Sequence, residues 1–156
     1  MTRSEVREHI FRLVFRVEFN DPGEMPEQIR RYFEDNYKED LSSDTPEDDD
    51  RLCLFSEDDE KYIRAKYDRI VEKLPELDEL INSNSKGWDT ARMGKADLAI
   101  LRLAVYETVF DDDIPIGVAI DEAVELAKKY GQDESASFVN GILAGVAKSC
   151  KDTNGD

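Results

Sequence analysis

The stretch ADLAILRLAVYETVF at 96–110 decides the fold. Leu98, Ile100, Leu101, Leu103, Val105, Val109 and Phe110 leave no continuous polar face on a helix over 95–111, and a helix apolar nearly all round belongs at the centre of a helical protein. Amphipathic helices flank it. Pro115 opens one and Gly131 closes it. Another runs from about 133 to 149 with Phe138, Val139, Ile142, Leu143 and Val146 inward.

Upstream, Val6, Ile10, Leu13, Val14 and Val17 predict a helix over 3–19, ended by Asp21, Pro22 and Gly23. Ile29, Tyr32, Phe33 and Tyr37 predict a second over 26–38. Ser56, followed by Glu57, Asp58 and Asp59, reads as the N-cap of a third, with Tyr62, Ile63, Tyr67, Ile70 and Leu74 on its core face. Pro75 interrupts it, and Leu77, Leu80 and Ile81 carry a short helix to about 83. Residues 84–94, with Gly87 and Gly94, form a loop. No strand-like alternation is present. The expectation is an all-α fold of about seven helices in one domain over 1–150, followed by a disordered tail at 151–156.

Composition narrows the function classes. The chain is 40% hydrophobic and 37% charged, which suits a globular protein with a heavily charged surface. It has no apolar run of membrane-spanning length, and MTRSEVREHIF has no signal-peptide character, so a cytoplasmic location is expected. Cys53 and Cys150 lack metal-ligand spacing and read as two thiols. The net charge of −16 opposes phosphate binding, but it is concentrated: residues 35–60 carry twelve acidic and two basic side chains. The segment at about 40–56 reads as an exposed acidic connection.

The search for catalytic or metal chemistry is negative. The single histidine, His9, falls on the polar side of the first helix and reads as solvated. There is no P-loop, dinucleotide-binding glycine pattern, HExxH or calcium loop. The run Asp111, Asp112, Asp113 reads as a solvated turn. No catalytic residue, metal ligand or cofactor is assigned. Two positions break local rules. Arg7 lies inside the apolar arc of helix one, with Arg3 one turn before it, either snorkelling or presenting guanidinium groups to phosphate. Gly141, mid-helix after Asn140, makes a small face with Gly145, four residues on, and predicts close approach of a neighbouring helix there.

Three stretches, in order and spacing, resemble the NusB family. They are an LR-x-x-x-YE helix (Leu101, Arg102, Tyr106, Glu107), a D-x-P-x-x-VAI-x-EAVELAK helix (from Asp113 and Pro115 to Lys128), and FVNG (Phe138 to Gly141). Trp88 and Arg92 also look like the family, and REHIFRLVFRVEF at 7–19 matches more loosely. The resemblance implies an all-helical fold of two small packed bundles. It implies a non-enzymatic transcription antitermination factor that binds boxA leader RNA together with the ribosomal protein NusE, within the antitermination complex on RNA polymerase. Carried over, the RNA contacts are Arg3, Arg7 and Phe138, and the NusE contact is Asp97.

One departure matters. Members of the family typically carry a denser arginine cluster before helix one, whereas here Glu5 and Glu8 interrupt Arg3 and Arg7. This keeps open an alternative, an acidic helical adaptor that binds a basic ribosomal protein and has little RNA affinity of its own. A methyltransferase fragment is a third reading, opposed by the lack of any cofactor-binding strand–loop–helix. The pattern leaves the oligomeric state open, including a homodimer. Arg102, a charge on an apolar helix, is expected to bond Glu122 or Glu107.

Overall fold

A computed structural model describes the backbone of residues 1–42, 55–87 and 89–154, and the side chains of 1–35, 55–87 and 89–150. Among the described residues it is all α: seven α-helices, two short 3-10 turns and no strand. No helix among them is long and apolar enough to cross a membrane. The chain divides into two compact units, 1–68 and 69–156, with the division inside the third helix.

In the first unit, α1 (Arg3–Arg16) begins with a reciprocal cap. The Glu5 amide donates to Thr2 Oγ1 (3.1 Å), and the Thr2 amide donates to Glu5 Oε2 (2.8 Å). A 3-10 turn over Val17–Phe19 completes the expected span, and a second at Pro22–Glu24 leads into α2 (Met25–Ser42), longer than the pattern predicted. Ser56 caps α3 (Glu57–Glu72) as expected, its hydroxyl accepting from the Asp59 amide (3.1 Å). Ile10, Leu13 and Val14 of α1, Tyr32 and Phe33 of α2, and Ile63 and Tyr67 of α3 are buried.

This unit overturns the reading of His9. The side chain is 0% exposed. Its Nδ1 shares a hydrogen bond with the Tyr32 hydroxyl, and its ring lies 4.3 Å from that of Phe55. Helical periodicity put His9 opposite the apolar arc, but it cannot show that a second element covers that side. Phe55 also corrects the downstream end of the acidic connection. It is buried, with its ring 4.8 Å from that of Phe33. Residues 40–42 belong to α2, and 43–54, including Cys53, lie outside the described residues.

The second unit is built around α5 (Lys95–Val109), the helix from which the fold was read. Every residue from Leu98 to Glu107 is buried. Helices α4 (Leu74–Ser83), α6 (Ile116–Tyr130) and α7 (Ser135–Asn154) all pack against α5. Pro75 sits in the first turn of α4, and Pro115 caps α6. The α7 helix continues to Asn154, past its expected end and into the expected tail. Arg102 bonds a carboxylate, as expected: Asp78 on α4 accepts from its Nε and Nη2, both at 2.8 Å.

The close approach expected on the face of Gly141 and Gly145 is found at Gly145. A methyl group at Gly141 would meet nothing within 4 Å. At Gly145 it would stand 2.6 Å from Asn84 Oδ1, at the end of α4. Four residues along a helix lie on the same face, so the close approach falls on the expected small face, at its Gly145 end.

Candidate functional site

The second unit carries a cleft of about 260 Å³ where the start of α5 meets the start of α7. It is smaller than the roughly 300–1,000 Å³ typical of small-molecule pockets. It therefore suits a contact surface better than a chamber enclosing a metabolite.

Local sequence shapes both walls. On one side, the loop before α5 turns through Lys86 (φ 44°) and Gly87 (φ 91°), a left-handed pair. The second position favours glycine, because a Cβ is strained there. The Thr90 amide donates to Asn82 Oδ1 (2.8 Å), and the Arg92 amide donates to the Asp89 carbonyl (3.0 Å). These bonds fix the backbone that presents Arg92. Trp88 lies outside the described residues. Gly94 then caps α5, which places Asp97 in its first turn, where the helix dipole favours a carboxylate.

On the other side, Gly131 ends α6 so tightly that a Cβ there would stand 2.5 Å from Ser135. The Gln132 amide donates to Ser135 Oγ (2.8 Å), and the Ser135 amide donates back to the Gln132 carbonyl (3.0 Å). This closed turn starts α7 and sets Phe138 one turn in, half-buried on the cleft wall.

Two of the four predicted site residues, Asp97 and Phe138, therefore line one cleft. Asp97 Oδ1 is buried and, among the described residues, has no hydrogen-bond partner. Buried acceptors are rarely left so, and a water or a bound donor would satisfy this one. Arg3 and Arg7 belong to the first unit, one turn apart on α1. Arg3 is exposed, but Arg7 is 6% exposed, so the surface guanidinium expected at that position is buried instead. Sequence reasoning assigned no role to Arg92, Gln132 or Ser135, which also line the cleft. Loop and cap residues carry no periodic signal, so only the fold brings them to one place.

A family model described as NusB family matches residues 4–148. Among curated relatives, the transcription antitermination protein NusB of Lachnoclostridium phytofermentans is 51% identical over 146 residues, 94% of this chain and 98% of its own. That of Agathobacter rectalis is 50% identical over 147 residues, 94% of this chain and 100% of its own. Of solved structures, T. maritima NusB superposes with a TM-score of 0.69 at 34% identity, covering 95% of this chain and 92% of that one. A structure of antitermination factors NusB and NusE in complex with double-stranded RNA agrees in fold, with a TM-score of 0.70 at 24% identity, covering 94% of this chain and 96% of that one.

Proposed function

Since the chain belongs to the NusB family of transcription antitermination proteins, we propose that it binds boxA-type leader RNA jointly with the ribosomal protein NusE and acts in the antitermination complex on RNA polymerase. In this reading it works in the cytoplasm. Phe138 provides a face for an unpaired base, and Asp97 accepts a hydrogen bond from NusE. The observation that carries the reading is the meeting of Asp97, with its unpartnered oxygen, and Phe138 in one cleft. An aromatic wall suits single-stranded RNA, whose bases can unstack onto it. A carboxylate suits a basic ribosomal protein.

Arg3 and Arg7 enter the proposal through the family resemblance. Arg3 is available to phosphate in the described structure. Arg7 is buried, so Arg7→Glu should cost fold stability as well as RNA binding, because it buries a carboxylate in place of a guanidinium.

The burial of Arg7, together with a net charge of −16, favours a second reading in which the chain is chiefly an acidic adaptor for the basic ribosomal protein. Titrating boxA-type RNA against the chain, with and without NusE, separates the two. Weak binding alone and tighter binding with NusE is the expected result. Phe138→Ala should weaken binding by about 1–3 kcal/mol, the range for loss of one base stack. Asp97→Ala should weaken the pairing with NusE. No RNA binding even with NusE present would leave the adaptor reading.

A further inference from the structure

RNA binding by so acidic a chain needs cations in the right places. Arg7 is buried. The cleft is itself acidic, with Asp97 and Glu134 on its walls. Among its described lining residues, Arg92 carries the one positive charge.

Arg92 is exposed, and among the described residues its guanidinium has no ion pair or hydrogen bond. Several other arginines of this chain are paired. Arg30, Arg31 and Arg64 each sit on a carboxylate of their own helix, at 2.6, 3.2 and 3.1 Å. Arg92 shares a cleft with two carboxylates and pairs with neither. Its position is nevertheless well defined. The Arg92 amide is tied to Asp89, and the next residue, Met93, is 5% exposed and anchors the chain. The backbone is held while the charged head stays available, an arrangement suited to an anionic ligand.

We infer that Arg92 is a phosphate-binding residue, gripping the RNA backbone at the nucleotide whose base meets Phe138. The inference rests on the RNA reading above. A guanidinium forks onto two phosphate oxygens, and an aromatic ring takes the adjoining base. Both groups line the same small cleft, so one nucleotide engages both. Arg92 also offsets Asp97 and Glu134, which would otherwise repel the strand.

The test uses the full chain with NusE and a fluorescent boxA-type single-stranded RNA, across a series of salt concentrations. Arg92→Ala should weaken RNA binding about tenfold at moderate salt and lower the slope of log affinity against log salt by about 0.7–1, as for one lost phosphate contact. Lys148→Ala removes the same charge from an exposed site of α7 that does not line the cleft, and should shift affinity by less than about twofold. Thermal melting should match the parent for both. The inference is overturned if Arg92→Ala binds as the parent does, or if Lys148→Ala loses as much. It is also overturned if Arg92→Ala loses its pairing with NusE in the absence of RNA, since Arg92 would then be a protein contact. A parent that binds no RNA overturns the RNA reading itself, which is a different outcome from a binding parent with an indifferent variant.

Discussion

The Arg102 guanidinium grips the Asp78 carboxylate with two parallel hydrogen bonds of 2.8 Å, tying the central helix α5 to α4 across 24 residues of sequence. The Arg102 side chain is 7% exposed and that of Asp78 25%. Removing one partner of a buried pair strands the other's charge, at about 3–5 kcal/mol for a fully buried pair. The partial exposure of Asp78 reduces this. Asp78→Ala should therefore lower stability by about 3 kcal/mol in urea unfolding. Arg102→Met, which removes the charge and keeps the apolar stem, should cost less.

Gly141 and Gly145 share a face of α7 and should respond oppositely to alanine. At Gly141 the added methyl meets open space, and a mid-helix glycine costs roughly 0.5–1 kcal/mol relative to alanine. Gly141→Ala should raise stability by about that much. At Gly145 the methyl collides with Asn84, whose Nδ2 is held by a bond to the Leu80 carbonyl (2.8 Å). Overpacking of this kind costs about 1–3 kcal/mol, so Gly145→Ala should lower the melting temperature. Equal stabilisation by both would show that Asn84 yields freely.

Within the first unit, His9 holds an aromatic cluster together through Tyr32 and Phe55. Tyr32→Phe keeps the ring and removes the hydroxyl from a buried imidazole nitrogen. That should cost about 1–3 kcal/mol, the penalty for a buried polar group left unsatisfied. His9→Ala also opens a cavity and should cost more. Chemical denaturation of both variants checks the order. A Tyr32→Phe protein as stable as the parent would remove the hydrogen bond from the account.

Tyr67 gives an alkaline signature. Burial, aided by the charge of Asp68, raises its pKa from 10.0 to about 12. The folded state thus keeps the phenol neutral while the unfolded chain ionises. Its contribution to stability is complete below about pH 10 and is lost as pH rises from there to about 12. Tyr67→Phe removes this titration. The variant's stability should fall less steeply than the parent's between those limits, measured by denaturation at stepped pH.

By itself, the sequence determined the helices and much of what they bury. The apolar run at 98–107, the prolines at 75 and 115, the Ser56 cap and Gly131 act within a turn or two of themselves, and each is found as read. The antitermination family was legible for the same reason, since its three motifs lie on single helices. Tertiary structure alone decided which residues face one another. His9 is buried because Tyr32 and Phe55 cover it. Arg102 reaches Asp78 on the neighbouring helix, and the close contact on α7 falls at Gly145. Asp97, Phe138 and Arg92 came to line one cleft across some 45 residues. Helical periodicity reports which side of a helix a residue occupies. Whether that side meets solvent, an aromatic ring or a carboxylate depends on chain that is distant in sequence, and only packing brings it near.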